Sequence, residues 1–232
     1  MPALIFVVES DIEVCRRTRS VLEEVGYTVR AFLNPNLMDE VEKRRPALAL
    51  IDASLSDGSG LDLCCRIRQS QTVARMPIIF MTAGNLEEDR VRALELGGDD
   101  CVSKSFSPRE LVARVGAVLR RLSRPAEGSS LRHFDLVIDP TTREIRRGQD
   151  LVPLTRTEFD LLVTLASQPG RVWTRDQMGE GVFGESFESL DRTIDSHVKN
   201  MRIKLGLRPD GGSYVETVRG VGYRAPRAGD PA

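Results

Sequence analysis

Five short runs rich in aliphatic and β-branched residues, separated by amphipathic stretches, fill the first half of the chain. No other feature limits the fold so tightly. The runs are Leu4–Val8, Thr28–Phe32, Leu48–Asp52, Ile78–Thr82 and Cys101–Ser103. The first intervening stretch puts Ile12, Cys15, Val21, Leu22 and Val25 on one face and stops at Gly26. Asp39–Arg45, Leu61–Ile67, Arg90–Leu96 and Glu110–Leu122 supply the others. Parallel strands need crossovers of about a dozen residues, which helices of this length provide. The spacing predicts βαβ units and a five-stranded parallel sheet covered on both faces, a doubly wound α/β domain over 1–122.

A chain of 232 residues has room for a second core. Ser123–Ser130 reads Ser-Arg-Pro-Ala-Glu-Gly-Ser-Ser, carries no apolar period and is expected to be a linker over 123–130. From 131 to 226 the pattern changes to α+β. Phe134, Leu136 and Ile138 alternate, Ile145 and Leu151–Leu154 follow, and turns fall at Asp139-Pro140 and Arg147-Gly148. Those strands predict a small antiparallel sheet. Helical segments over about Thr157–Ser167, Arg175–Glu180 and Leu190–Leu205 come next, then a hairpin of Tyr214–Val218 and Gly222–Arg224 turning at Arg219-Gly220.

Apolar residues make up 41% and charged residues 29%, the composition of a folded protein. No apolar run approaches the ~18 residues of a membrane span, and Met1–Ser10 is too short and acidic for a secretory signal. A cytoplasmic chain without a membrane partner is the expectation. Cys15, Cys64, Cys65 and Cys101 show no metal-ligand spacing and read as reduced apolar thiols. The net charge of −1 argues against nonspecific coating of nucleic acid, yet Ser189–Arg227 holds eight Lys and Arg against four acids.

In an open α/β sheet, ligands bind at the carboxyl ends of the strands. Glu9 and Asp11 follow the first strand, Asp52 ends the third, Thr82 ends the fourth and Lys104 follows the fifth. Singly, each acid would serve as a helix cap or a solvated loop end. Together the five suit a divalent cation and a phosphoryl group: acids for the metal, a hydroxyl for one phosphoryl oxygen, Lys104 for another. Asp52 is best placed as a carboxylate nucleophile, because it ends a buried strand and faces the loop 53–60.

With these residues in view, the chain resembles a two-component response regulator of the OmpR/PhoB subfamily over essentially its whole length. The first half carries Ile5-Phe-Val-Val-Glu-Ser-Asp11, Ile51-Asp52, Asp57-Gly-Ser-Gly-Leu61, Met81-Thr-Ala83, Gly97-Gly-Asp-Asp100 and Ser107-Pro-Arg-Glu-Leu-Val-Ala-Arg-Val115. The resemblance implies a flavodoxin-like receiver followed by a winged helix-turn-helix domain. It implies Asp52 as phosphoacceptor, Thr82 as switch hydroxyl, Lys104 as phosphate-sensing lysine, and Glu9, Asp52 and the Ser54 carbonyl as Mg²⁺ ligands. A sensor histidine kinase is the implied upstream partner.

Three positions depart from that pattern. The acidic pair after the first strand is Glu9-Ser10, so one metal ligand is a hydroxyl, and Asp11 points elsewhere once the helix starts. Loss of an anionic ligand weakens Mg²⁺ binding. Ser105 replaces the proline of a cis Lys-Pro bond; a cis bond before serine costs ~2.5–4 kcal/mol, so the loop either retains strain or relaxes to trans and re-aims Lys104. Cys101 stands at the aromatic switch position and has no ring to swing. Control independent of phosphorylation is therefore a live expectation. The resemblance also implies a receiver homodimer held by ion pairs of Arg90 with Glu110 and of Asp100 with Arg114, while Gly116 sits where the subfamily usually has a basic partner for the residue at Glu95.

In the second half, Leu190–Leu205 aligns Ile194, Val198, Met201 and Leu205 in one stripe for packing. The remaining positions are Arg192, Thr193, Ser196, His197, Lys199, Asn200, Arg202 and Lys204, with Ser189 as N-cap. A helix dry on one side and rich in donors on the other fits the major groove of double-stranded DNA. Cationic side chains position the helix on phosphates, and Asn200 suits a base edge. The glycines beside Arg219 allow a tight turn whose arginine fits a narrow minor groove. Together with Leu154-Thr-Arg-Thr-Glu-Phe-Asp-Leu-Leu162 and Asp191-Arg-Thr-Ile-Asp-Ser-His-Val198, this segment resembles the winged-helix effector of the same subfamily. That likeness implies DNA contacts from Arg192, Thr193, His197, Lys199, Asn200, Arg202, Thr217 and Arg219. Phe183 replaces a tryptophan and keeps the packing without the indole donor. The leading expectation is a DNA-binding transcription regulator and not an enzyme. A phosphotransferase or phosphatase using the acidic pocket is the rival, and the missing acid at Ser10 counts against turnover.

Overall fold

A computed structural model of the chain describes residues 2–55, 59–84, 87–123, 130–183 and 191–230. The side chains of Glu87, Glu88, Arg90, Arg120, Arg121, Leu122, Ser123, Phe183, Asp191 and Arg192 lie outside that description. So do Asp57, Gly58, Ser189, Leu190 and most of the expected linker. The chain divides into two units, Met1–Arg121 and Leu122–Ala232.

The first unit alternates strand and helix: β1 Leu4–Val8, α1 Ile12–Glu24, β2 Thr28–Phe32, α2 Met38–Arg44, β3 Leu48–Asp52, α3 Gly60–Gln69, β4 Ile78–Thr82, α4 Glu87–Glu95, β5 Asp100–Ser103 and α5 Pro108–Ser123. The strands form one parallel sheet in the order β2-β1-β3-β4-β5. Successive side chains on a strand point to opposite faces. Ile5 and Val7 therefore join one core with Leu22, Leu111 and Val115, whereas Phe6 and Val8 join the other with Leu63, Ile67 and Ala93. Both cores explain why β3 and β4 are buried at every position.

The expected face of α1 is corrected at its ends. Ile12 and Val25 are 60% and 49% exposed, and Thr18 is buried between Cys15 and Leu22. Ile12 stands in the first turn and Val25 follows the last, where the helix has run past the sheet. The helix starts because Asp11 Oδ1 accepts from the amides of Glu13 and Val14 at 2.8 and 3.1 Å.

The second unit opens with β6 Leu131–His133, β7 Leu136–Asp139, β8 Glu144–Arg147 and β9 Asp150–Leu151, an antiparallel sheet in chain order. Phe134 is not a strand residue. It takes φ +56 in the β6–β7 turn, with the Arg208 guanidinium 4.3 Å from its ring centre. The expected strand Leu151–Leu154 stops early because Pro153 has no N–H for the ladder. There follow α6 Arg156–Ala166, β10 Trp173–Thr174, α7 Arg175–Phe183, α8 Asp191–Leu205, β11 Glu216–Val218 and β12 Gly222–Arg224. A second sheet, β10-β12-β11, adds a strand that two residues are too few to announce in sequence. Ile194, Val198, Met201 and Leu205 of α8 pack on Leu161, Leu165, Met178 and Tyr223, and each such apolar side chain contributes about 1.5–3 kcal/mol.

Candidate phosphoryl pocket and nucleic-acid interface

Glu9, Asp52, Thr82 and Lys104 meet at the carboxyl edge of the parallel sheet. Lys104 Nζ lies 2.8 Å from Asp52 Oδ2 and 3.0 Å from Glu9 Oε1. Both acids are essentially inaccessible, at 1% and 0%. Burial pushes the Glu9 carboxyl above its ordinary range, against the Asp11 amide and Lys104, which favour its charged form. Burial pulls Lys104 down, but its bonds to Asp52 and Glu9 more than offset this, and its ammonium is held above its ordinary value. Asp52 Oδ1 accepts from the Ser54 amide at 3.0 Å. Gly60 closes the site from α3: a Cβ there would stand 1.8 Å from the Asp52 carbonyl oxygen, so only glycine fits.

The peptide bond between Lys104 and Ser105 is trans, as in the relaxed form of the loop, and Lys104 reaches both acids. Arg17 of α1 is one reason. Its guanidinium donates to the Lys104 carbonyl and lies 4.6 Å from the Phe106 ring centre. Sequence reasoning missed Arg17, because it stands on the polar face of an amphipathic helix. Thr82 Oγ1 donates to the Gly84 carbonyl at 2.9 Å, and Cys101 Sγ lies 3.9 Å from that hydroxyl, in the core. Asp11 stands apart as the α1 cap.

No three His, Cys, Asp or Glu side chains gather as a metal cage among the described residues. Glu9 Oε2 is, however, buried without a hydrogen-bond partner among them. Beside Asp52, that oxygen is a hard donor of the kind a divalent cation takes.

Of the residues expected to pair across a dimer, three have described side chains, and these meet within the one chain. Arg114 pairs within its own chain, 3.2 Å from Asp100 and 3.0 Å from Glu110. Asp100 is only 4% exposed at the start of β5, so α5 of the same unit is its nearest source of a cation. The side chain of Arg90 lies outside the described residues.

In the second unit, Thr155 caps α6 in a reciprocal capping box with Glu158. Glu158 is fully buried, and Lys204 of α8 reaches its carboxylate at 2.7 and 2.9 Å. Lys204, expected on the open face, is thus tied to α6. Thr193, Ser196 and His197 were expected there too and are buried, at 5%, 5% and 1%. Thr193 and His197, four residues apart, widen one flank of the packing stripe. Lys199 is exposed, Asn200 is half-exposed, and Arg192 lies outside the described side chains. Arg202 bonds inward to Val215 and Thr217. Arg219 is exposed at the hairpin tip, where Gly220 takes φ +75 and the Val221 amide closes the turn on the Val218 carbonyl at 3.0 Å. Asp195, unremarked in sequence, binds both Arg175 of α7 and the Tyr223 hydroxyl of β12, at 2.7 and 2.6 Å. That hydroxyl is pushed up to about 12 by burial and the carboxylate beside it.

Two family models match the two units: "Response regulator receiver domain" over residues 5–116 and "Transcriptional regulatory protein, C terminal" over 148–225. The phosphate regulon transcriptional regulatory protein PhoB of Escherichia coli K12 is 36% identical over 226 residues, covering 97% of this chain and 98% of that one. The chain belongs to the OmpR/PhoB family of response regulators. As such it is a transcription regulator of the two-component type with a DNA-binding domain. PhoB of Rhizobium meliloti is 40% identical over 94% of the chain and 96% of its own length. The DNA-binding response regulator MtrA of Mycobacterium bovis is 38% identical over 95% and 96%. Among solved structures, DrrB of Thermotoga maritima, an OmpR/PhoB homologue, covers 98% of this chain and all of its own, at 28% identity and a TM-score of 0.51. A mutant of RitR shares the fold, with a TM-score of 0.77 at 23% identity over 97% of this chain and all of its own. No helix among the described residues is long and apolar enough to cross a membrane.

Proposed function

We propose that this OmpR/PhoB regulator binds specific duplex DNA with α8 in the major groove and the β11–β12 hairpin at the adjoining minor groove. The observation that carries the reading is the exposed Arg219 on a glycine turn, in the same unit as the exposed Lys199 and the half-exposed Asn200 of α8. Lys199, Arg192 and Thr217 take phosphate, Asn200 reads a base edge, and Arg219 enters the narrow groove, where negative potential is concentrated. Thr193 and His197 act from beneath this surface by shaping the helix seat, since both are buried.

The receiver controls pairing of two copies, with Arg90 and Glu110 selecting the register and the Asp100–Arg114 pair bracing α5 from within. Exposed ion pairs are worth about 0–1 kcal/mol, so they choose alignment more than they supply affinity. Asp52 is the candidate phosphoacceptor. An Asp52 oxygen attacks the phosphorus of a donor such as a histidine kinase's phosphohistidine, the leaving group departs with its bonding electrons, and Lys104 neutralises a phosphoryl oxygen. Glu9, Asp52 and the Ser54 carbonyl would hold Mg²⁺, which when bound supplies charge neutralisation for the incoming phosphoryl group. With Ser10 in place of an acid and Lys104 already bridging Glu9 and Asp52, the unphosphorylated protein is the DNA-binding form.

A mobility-shift assay with duplexes selected from a random library tests this. Sequence-selective binding without phosphodonor is expected. Equal, weak binding to all duplexes, sharpened only by acetyl phosphate, overturns it. Mass spectrometry after acetyl phosphate and Mg²⁺ tests Asp52 separately, with Asp52→Asn as the control that must stay unmodified.

A further inference from the structure

The hairpin that carries Arg219 is held by neighbours on one strand only: β12 pairs with β10, whereas β11 is an edge strand. Its strands are three residues each, and an isolated pair so short is marginal in water. Something outside the hairpin must fix where the arginine points. The ladder with β10 and the buried Tyr223 hold β12, and two side-chain clamps from α8 add to them. Arg202 Nε and Nη2 donate to the Val215 carbonyl at 2.9 and 2.7 Å, and Nη2 also reaches Thr217 Oγ1 at 2.8 Å. The guanidinium carbon sits 5.5 Å from the Tyr223 ring centre. On the preceding turns of the same helix, Asp195 accepts from the Tyr223 hydroxyl, and Arg175 of α7 holds Asp195 from the other side. Arg202 grips the chain entering β11, while Asp195 grips β12.

We infer that Arg202 is a positioning residue that locks the hairpin to α8, and that it makes no DNA phosphate contact of its own. A planar guanidinium with two of its three nitrogens donating to hairpin oxygens, and its carbon over an aromatic ring, is committed to that geometry. Replacing it frees the hairpin and lets Arg219 lose register with Lys199. The consequence for DNA rests on the DNA-binding reading above, whereas the clamp itself does not.

Arg202→Lys separates the two roles. Lysine keeps the charge a phosphate needs but cannot present two fixed N–H groups to Val215 and Thr217. Affinity for a duplex selected by the wild-type protein is expected to fall about tenfold in both Arg202→Ala and Arg202→Lys, the scale of lost charge-assisted hydrogen bonds. In an Arg219→Ala background the same changes are expected to cost clearly less, because Arg202 acts through the hairpin that carries Arg219. Wild-type affinity in Arg202→Lys overturns the inference. So does an undiminished cost in the Arg219→Ala background together with a salt slope lowered by about one, the mark of a lost phosphate contact. Amide exchange without DNA tests the clamp independently. The amides of Val218 and Val221 are expected to exchange faster in both variants while those of α6 keep wild-type rates, and unchanged exchange at the hairpin refutes the clamp. A wild-type protein that selects no duplex would overturn the DNA reading instead, and exchange would still decide the clamp.

Discussion

Lys104 Nζ stands 2.8 Å from Asp52 Oδ2, so the candidate phosphoacceptor is already paired with a cation of the chain's own. The same ammonium reaches Glu9 at 3.0 Å. A divalent ion entering here would compete with that lysine for the two acids.

Ser10→Asp is expected to raise Mg²⁺ affinity by about tenfold, the direction set by an added anionic oxygen ligand. Lys104→Met is expected to raise it as well, because the Glu9–Asp52 pair is then left with no compensating charge. Isothermal titration with MgCl₂ checks both. No change in Ser10→Asp would mean that position 10 does not face the pocket.

Lys204→Ala is expected to destabilise the second unit by about 3 kcal/mol, since it leaves the buried Glu158 carboxylate without a countercharge from α8. Thr155→Ala removes only one half of the capping box and is expected to cost about 1 kcal/mol. Urea unfolding of the full chain, followed through Trp173, ranks the two. Equal, negligible costs would show that Glu158 is solvated on its own.

Asn200→Ala is expected to reorder the preferred duplexes, whereas Lys199→Ala weakens all of them alike and lowers the salt slope by about one. Selection from a random library, repeated with each variant, distinguishes base reading from phosphate contact. A matched loss on selected and scrambled duplexes for both variants would remove Asn200 as a reader.

His133 supplies a pH test. It is 4% exposed, its ring centre 4.8 Å from that of Phe134 and 6.4 Å from that of Tyr214. Burial, reinforced by the nearby Arg208 charge and opposed by a hydrogen bond with the Tyr214 backbone, holds its pKa below the ordinary 6.5. The folded state thus resists a proton that the unfolded state accepts. Its stabilising contribution is complete above pH 6.5 and is lost as the pH falls from there through the folded pKa. His133→Gln is expected to flatten the loss of stability of the second unit between neutral pH and about pH 5, measured by urea unfolding. A variant with the wild-type acid limb would exclude His133 as its source.

Much of the pocket was legible in sequence because strand ends are. A buried parallel strand is a continuous apolar run, and the polar residue that breaks it marks the carboxyl edge, as Asp52 and Thr82 do. Arg17 was not legible, since a surface arginine gives no sign that it folds over onto the Lys104 carbonyl. In α8 the stripe of Ile194, Val198, Met201 and Leu205 was legible from its period. The period does not say how wide the buried sector is, so Thr193, Ser196 and His197 passed for surface.

In the first unit local spacing by itself determined the order of elements, the two apolar cores and the residues that end each strand, because those follow from periods of two and about 3.6 along the chain. Tertiary structure alone decided which charges face outward. Lys204 turns to Glu158, Arg114 to Asp100 and Arg202 to Val215, and each partner lies in another element. A long cationic side chain reads the same in sequence whether it meets water, DNA or its own backbone. Its direction is set by the acids and carbonyls that distant segments bring within reach, and by the cost of leaving those groups buried without a partner.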